Sequence, residues 1–403
     1  MKVLLVGSGG REHALAWRLA QDPGLDELHA APGNPGITRL GRCHPVHAED
    51  REGLLALCRA LEIELAVIGP EAPLVAGVGD LLRHAGIAVF GPSAAAARIE
   101  GSKQFAKDVL LAAGVPTAAT LPAASVPCVV KADGLAGGKG VFVCRTQAEL
   151  DASLSALAAL GGGHVVEELL EGPEVSLFAL ADGSRALPLP AARDFKRLED
   201  GDHGPNTGGM GSVSPVSGLT AAEVDELVEL VHRPVLEELA RRGAPFVGLL
   251  YAGLMLTAAG PRVLEFNCRF GDPETQSILP LVEGDLLAAL AAAAAGDLSG
   301  VELGVSAEAA VTVTVAAGGY PATADRGTAI GGIDEAAATG ALVFHAGTAL
   351  GDGGVVTNGG RVLNVTATGP TPAAARARAY AGVERISFVG ARYRTDIAEV
   401  VNA

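Results

Sequence analysis

The chain has 403 residues, 49% hydrophobic and 19% charged, which is enough apolar material for several packed cores and too little charge for a disordered chain. A net charge of −16 would repel a polyphosphate backbone over most of the surface, and with aromatics at 4% there is no stacking platform for bases, so DNA and RNA are not expected as partners. The five cysteines (Cys43, Cys58, Cys128, Cys144 and Cys268) form no CxxC pair and are odd in number, which argues against a disulfide framework or zinc site and for a reducing cytoplasm. The apolar opening is too short for a signal peptide, and the run Leu286 to Ala295 is too short and too alanine-rich for a membrane span.

In chain order, Lys2 to Val6 predicts a strand, Gly7-Ser8-Gly9-Gly10 a turn, and Glu12 to Ala20 a helix, the beginning of an α/β unit. Glu64 to Ile68 and Ile87 to Phe90 repeat the pattern, each followed by a Gly-Pro turn, the first read over Gly69 to Pro73. Residues 1 to 116 therefore read as a doubly wound parallel-sheet domain. Residues 117 to 178 read as a small α+β unit of lid size, with strands Val126 to Lys131, Val141 to Cys144 and Gly163 to Glu167, and a helix over Gln147 to Leu160. Residues 179 to 300 carry strands at Leu250 to Leu256 and Arg262 to Asn267, a long glycine-rich loop and an alanine-rich helix. Residues 301 to 403 carry separate strands, such as Ala310 to Ala316 and Arg361 to Thr368, and read as a smaller closing domain.

Five stretches hold the residue types that chemistry needs. The opening turn resembles a dinucleotide fingerprint but places Glu12 where GxGxxG wants its last glycine, and no acid follows the next strand to hold a ribose. Its helix-start amides, at Gly9 and Gly10, suit a phosphate instead, with Arg11 adding charge. Lys131 ends a strand before a run in which Gly137, Gly138 and Gly140 surround Lys139, so amides and point charges can approach phosphate oxygens without a Walker A order. The strand end Val165 to Glu174 suits a hinge whose backbone meets an adenine edge, with Glu174 accepting from ribose hydroxyls. The polar loop from Asp194 through Asn206, Thr207 and Gly208 to Gly211 suits a small polar substrate. Finally, alternation along Val263 to Asn267 puts Glu265 and Asn267 on one face, two oxygen donors suited to Mg2+, with Arg269 placed to meet charge developing on a carboxylate oxygen. His13, His203 and His345 have no partner legible in the sequence, and no GxSxG or Cys–His nucleophile signature is present.

Taken in order, Gly7-Ser8-Gly9-Gly10-Arg11-Glu12-His13-Ala14, Gly69-Pro70-Glu71-Ala72-Pro73-Leu74, Gly101-Ser102-Lys103, Lys131 to Ala136, Gly204-Pro205-Asn206-Thr207-Gly208-Gly209-Met210-Gly211 and Glu265 to Glu274 resemble the phosphoribosylamine–glycine ligases of purine biosynthesis. The likeness covers nearly the whole chain and continues through Phe344 to Thr348 and Val356 to Arg361. It implies an ATP-grasp fold in which a lid and a central domain clamp ATP, with Mg2+ or Mn2+ as metal, and glycine and 5-phosphoribosylamine as substrates of a cytoplasmic monomer. By motif, Lys103 and Lys131 would contact phosphates. Glu167, Glu168 and Leu170 would line the adenine hinge, and Glu174 would meet the ribose. Glu265 and Asn267 would hold the metal, and the opening turn, Asn34 and Glu71 would lie near phosphoribosylamine. The chain departs from the family at Ala191-Ala192-Arg193-Asp194-Phe195-Lys196, where a Thr-Ser-Gln-Asp-His-Lys run is usual, so no role carries over to its first three positions or to Phe195. Another ATP-grasp carboxylate–amine ligase, a nicotinamide-dependent oxidoreductase and a non-catalytic nucleotide sensor are the competing readings.

Overall fold

The computed structural model describes residues 1–135, 140–161 and 163–399. Its N-terminal part is a five-stranded parallel sheet in the order Arg42–Cys43, Glu27–Pro32, Lys2–Gly7, Leu65–Ile68, Ala88–Phe90. Leu65–Ile68 is buried at all four positions, as expected of a strand covered on both faces by crossover helices. Reversal of strand order at Lys2–Gly7 opens a crevice at the carboxyl ends, where ligands bind in such sheets. The expected turn over Gly69 to Pro73 is shorter than its composition suggests, because a helix, Glu71–Val75, begins there. Pro73 sits in its first turn, where no backbone N–H is required.

The lid is a three-stranded antiparallel sheet, Val141–Cys144, Cys128–Ala132, His164–Glu168, backed by the helix Gln147–Leu160. That helix starts where Thr146 and Glu149 cap each other, Thr146 Oγ1 accepting from the Glu149 amide at 3.3 Å and Glu149 accepting from the Thr146 amide at 2.9 Å. The loop residues Gly137, Gly138 and Lys139, expected to close over phosphates, lie outside the described residues; Gly140 is buried, and its carbonyl accepts from the Ala132 amide at 2.8 Å.

An eight-stranded antiparallel sheet forms the rest of the frame. Its order is Gly260–Asn267, Val247–Thr257, Glu174–Asp182, Ala186–Asp194, Gly211–Ser214, Ala309–Ala316, Arg361–Gly369, Leu342–His345. This sheet runs through the expected divisions: Glu174–Asp182 crosses position 178, and Gly211–Ser214 pairs with Ala309–Ala316 across position 300 (Gly211 opposite Val313). The region after 301 adds a separate three-stranded sheet, Asp325–Ala329, Gly354–Gly359, Thr348–Gly351.

The segment from Asp194 to Gly211, expected as a loop, contains a hairpin, Arg197–Glu199 with His203–Asn206. Buried Phe195, Leu198 and Met210 anchor it, three apolar residues too widely spaced to show a periodicity. Gly201, at φ 68°, turns the hairpin in the left-handed region that glycine tolerates.

Candidate active site

The lid and the outermost strand of the large sheet meet through lysines. Lys103 Nζ lies 2.9 Å from Glu265 Oε2, and Lys131 Nζ donates to the Leu264 carbonyl at 2.7 Å. Two cations, one at the start of the helix Lys103–Ala112 and one on the lid, thus converge on the strand expected to hold a metal. Lys103 draws the Glu265 carboxyl far below the usual range against the opposing effect of burial, with Lys196 and Lys131 adding to the pull. An anionic Glu265 with Asn267 two positions on is a hard-oxygen donor pair. Among the described residues no group of three or more His, Cys, Asp or Glu gathers. The pair therefore fits a divalent cation that takes its remaining ligands from phosphate and water.

A cleft of about 440 Å3 opens between lid and large sheet, lined among others by Val143, Leu169, Leu170, Gly172, Arg197 and Met255. Of the expected adenine hinge, Leu170 lines this cleft, whereas the Glu167 side chain turns inward. Glu167 is 4% exposed, and its two oxygens lie 2.6 Å from Lys107 and 2.6 Å from Lys131. Its backbone is paired with Val129 and bridged to Thr120, so no edge is left at that residue for a base. Glu168 accepts from the Ala119 amide at 2.8 Å. Glu174, exposed at the start of its strand, accepts from Lys196 Nζ at 2.8 Å.

A second charged group lies in the crevice of the parallel sheet. Arg269 donates from Nε to Glu71 at 3.2 Å and approaches Glu100 at 3.4 Å, while Arg11 lies 3.7 Å from Glu71 and donates to Glu12 at 2.6 Å. Burial opposes ionisation of Glu71, yet Arg269 and Arg11 outweigh it and hold its carboxyl at about 2. Glu12 is buried and accepts from the Gly9 amide at 2.5 Å. The position that would be glycine in a dinucleotide site is thus filled by a carboxylate that occupies one helix-start amide itself. Gly10, Arg11 and Glu12 retain amides with no partner inside the helix. Asn34 spends its side chain on the protein: Nδ2 donates to the Ser8 and His345 carbonyls, both at 2.9 Å, and Oδ1 accepts from Gly36 and Ile37. It clamps the turn to the C-terminal region rather than presenting a free amide.

Models of the phosphoribosylglycinamide synthetase N domain, ATP-grasp (A) domain and C domain match residues 1–100, 101–275 and 310–400. The chain is 53% identical to a phosphoribosylamine–glycine ligase of Streptomyces coelicolor, with 99% of each covered. This chain belongs to the phosphoribosylglycinamide synthetase family. A crystal structure of the Thermotoga maritima phosphoribosylamine–glycine ligase superposes with a TM-score of 0.85 at 38% identity, covering 98% of this chain and 100% of that one. The biotin carboxylase domain of Hydrogenobacter thermophilus 2-oxoglutarate carboxylase, at 17% identity and a TM-score of 0.72, shares the fold. The ATP-grasp fold expected from the sequence is the fold observed.

Within this synthetase fold the loop of the Gly204 to Gly211 motif is tied to the C-terminal region. Gly208 donates its amide to Tyr320 Oη at 2.8 Å and accepts from Arg361 Nη1, which also donates to the Asp272 carbonyl at 2.6 Å. Thr207 accepts from the Gly209 amide at 3.0 Å and donates to the Lys196 carbonyl at 2.9 Å; Asn206 donates to the Val141 carbonyl at 3.5 Å. Asp194 is half-buried, and its Oδ1 is enclosed without a hydrogen-bond partner. Burial and the nearby Glu274 push its carboxyl well above the ordinary range, against Lys196 and Arg361. An enclosed carboxyl oxygen without a partner, at the start of the segment leading to this motif, is a group that a hydrogen-bonding ligand can satisfy.

Several charged residues of the site were not singled out from the sequence. Asp272, Glu274 and Arg361 stand inside stretches that carried the family likeness, so a signal for them existed. Glu100 and Lys107 had none: each reads as one polar position on an ordinary helix. His13 and His345 find each other, the His345 amide donating to His13 Nδ1 at 2.8 Å, and burial holds His13 at about 3 and His345 at about 4, both neutral near pH 7. They join the N- and C-terminal regions rather than exchanging protons. His203 is exposed at the hairpin. Among the described residues no helix is long and apolar enough to cross a membrane.

Proposed function

We propose that this protein ligates glycine to 5-phosphoribosylamine at the expense of ATP, working in the cytoplasm as a monomer, with Mg2+ as its metal. Glycine's carboxylate oxygen attacks the γ-phosphorus, the bond to the β-phosphate oxygen breaks, and ADP leaves behind glycyl phosphate. The amine of phosphoribosylamine then attacks the acyl carbon, losing a proton as phosphate departs, and glycinamide ribonucleotide remains. Lys103 and Lys131 hold the phosphates, and the cleft at Leu170 seats the adenine. Glu265 and Asn267 hold the divalent cation, which when bound neutralises charge on the phosphate oxygens. Arg269 stabilises the oxygen of the tetrahedral centre, oriented by Glu71 and Glu100. Asp194 accepts from the glycine amine, and the amides at Gly10 and Arg11 face the phosphate of phosphoribosylamine. No side chain becomes covalently modified; positioning and exclusion of water from the acyl phosphate do the work.

The observation that supports this reading is the 2.9 Å approach of Lys103 to Glu265, beside the Lys131 contact with Leu264, because two cations suited to phosphates and a carboxylate suited to a metal meet there. The test is ADP release with glycine and phosphoribosylamine supplied singly and together. Strong release only with both supports the ligase; release indifferent to both refutes it. Glu12 at the fingerprint position weighs against a nicotinamide enzyme, and the intact set Glu265, Asn267 and Arg269 weighs against a mere sensor.

A further inference from the structure

Lys107 has no place in the scheme above, yet it is one of the most enclosed cations in the molecule, 4% exposed. It sits on the helix Lys103–Ala112, one turn beyond Lys103. Its Nζ lies 2.6 Å from Glu167 Oε1 and donates to Thr117 Oγ1 at 2.8 Å and to the Ala118 carbonyl at 2.7 Å. Glu167 gives its other oxygen to Lys131, also at 2.6 Å. Thr117 in turn donates to the Val263 carbonyl at 2.8 Å, and Lys131 to the neighbouring Leu264 carbonyl. Three elements are thereby joined beneath the lid: the helix, the lid sheet and the metal-bearing strand.

Charge counting gives this arrangement a consequence. Two lysines share one carboxylate, so one ammonium has no carboxylate of its own at bonding distance, in a site shielded from water where a charge acts strongly on an anion. Without Lys107, Glu167 would neutralise Lys131 and draw its ammonium away from the nucleotide. Packing alone does not need this: Lys107 could be a buried apolar residue if only volume mattered.

We propose that Lys107 is a positioning residue for the nucleotide. It occupies one oxygen of Glu167 and so keeps the Lys131 ammonium both placed and electrostatically available to the phosphates. This rests on the assignment of Lys131 to the ATP phosphates.

The test is calorimetric titration of ATP into the full-length protein, without amino-acid or amine substrate, for Lys107→Met, Glu167→Gln, the double variant and Lys131→Met. Loss of one charge-assisted contact predicts that Lys107→Met raises Kd about tenfold. The double variant, in which Lys131 is again the one uncompensated charge, should recover most of that affinity. A merely structural Lys107 would instead give additive losses. Unchanged Kd in Lys107→Met, or a double variant worse than either single, overturns the proposal while Lys131→Met still weakens binding. If Lys131→Met binds ATP normally, the underlying assignment falls and the proposal with it. Should Lys107→Met fail to fold, Lys107→Gln keeps a donor toward Thr117 without the charge, and an unchanged Kd there is equally decisive.

Discussion

Replacing Glu265 by Gln isolates charge from shape at the metal strand. The side chain keeps its length and an acceptor oxygen, so Lys103 retains a hydrogen bond in place of the present 2.9 Å ion pair. Because Glu265 is 27% exposed, that pair contributes under about 1 kcal/mol to stability once solvent screening is counted, and the thermal midpoint should move little. On the reading proposed above, the cation loses one of two protein donors and the only formal negative charge of the pair. A contact to a charged group differs from none by about 1.5–3 kcal/mol, which converts to a roughly 10- to 150-fold rise in the divalent concentration giving half-maximal ADP release. The assay is turnover against metal concentration at saturating ATP, glycine and phosphoribosylamine, beside a thermal melt of the same variant. Half-saturation within twofold of the parent would refute the placement of the metal on this strand. A collapsed melt would refute the claim that Glu265 serves the site and not the fold.

Arg361→Met should raise the KM of glycine or phosphoribosylamine about tenfold or more while ATP affinity, by calorimetry, stays within twofold, because Arg361 bonds the Gly208 and Asp272 carbonyls and neither Lys103 nor Lys131. Gly10→Ala would set a Cβ 2.4 Å from Asn364 Oδ1 and 2.5 Å from Gln276 Nε2, both buried, and should cost about 1–3 kcal/mol in a denaturant titration. Acid should destabilise the protein well above the carboxylate range. Burial holds His13 at about 3 and His232 and His345 at about 4, whereas the unfolded chain takes up those protons near 6.5. Stability is complete above that value and is lost as pH falls from about 6.5 toward about 4, at roughly 1 kcal/mol per pH unit for each histidine. Melts at pH 7 and pH 5 check this, and equal midpoints would contradict the burial argument.

The opening glycine turn, a strand over Arg262 to Asn267 and the helix Gln147–Leu160 were legible in the sequence, because each is specified by neighbours a few residues apart. Alternation placed Glu265 with Asn267, and Lys131 stood out beside its glycine run for the same reason. Glu167 shows the limit. Its position at a strand end was readable, but the direction of its side chain was not, since Lys107 lies 60 positions before it on another element. The hairpin after Asp194 was missed because its three apolar anchors pack on distant strands and follow no period of their own.

By itself the sequence determined the opening strand–turn–helix unit, the lid strands and their helix, the family likeness, and that Glu265 and Asn267 lie two positions apart on one strand. These depend on chain-local periodicity and on residue types kept together in short motifs. Tertiary structure alone decided which charges compensate which. It joined Arg361 to Gly208 across 153 positions and Arg269 to Glu71 across 198, and it ran one antiparallel sheet through two apparent domains. The physical reason is that an ion pair or a sheet register is fixed by distance in space and by exclusion of water, and neither quantity is written in separation along the chain.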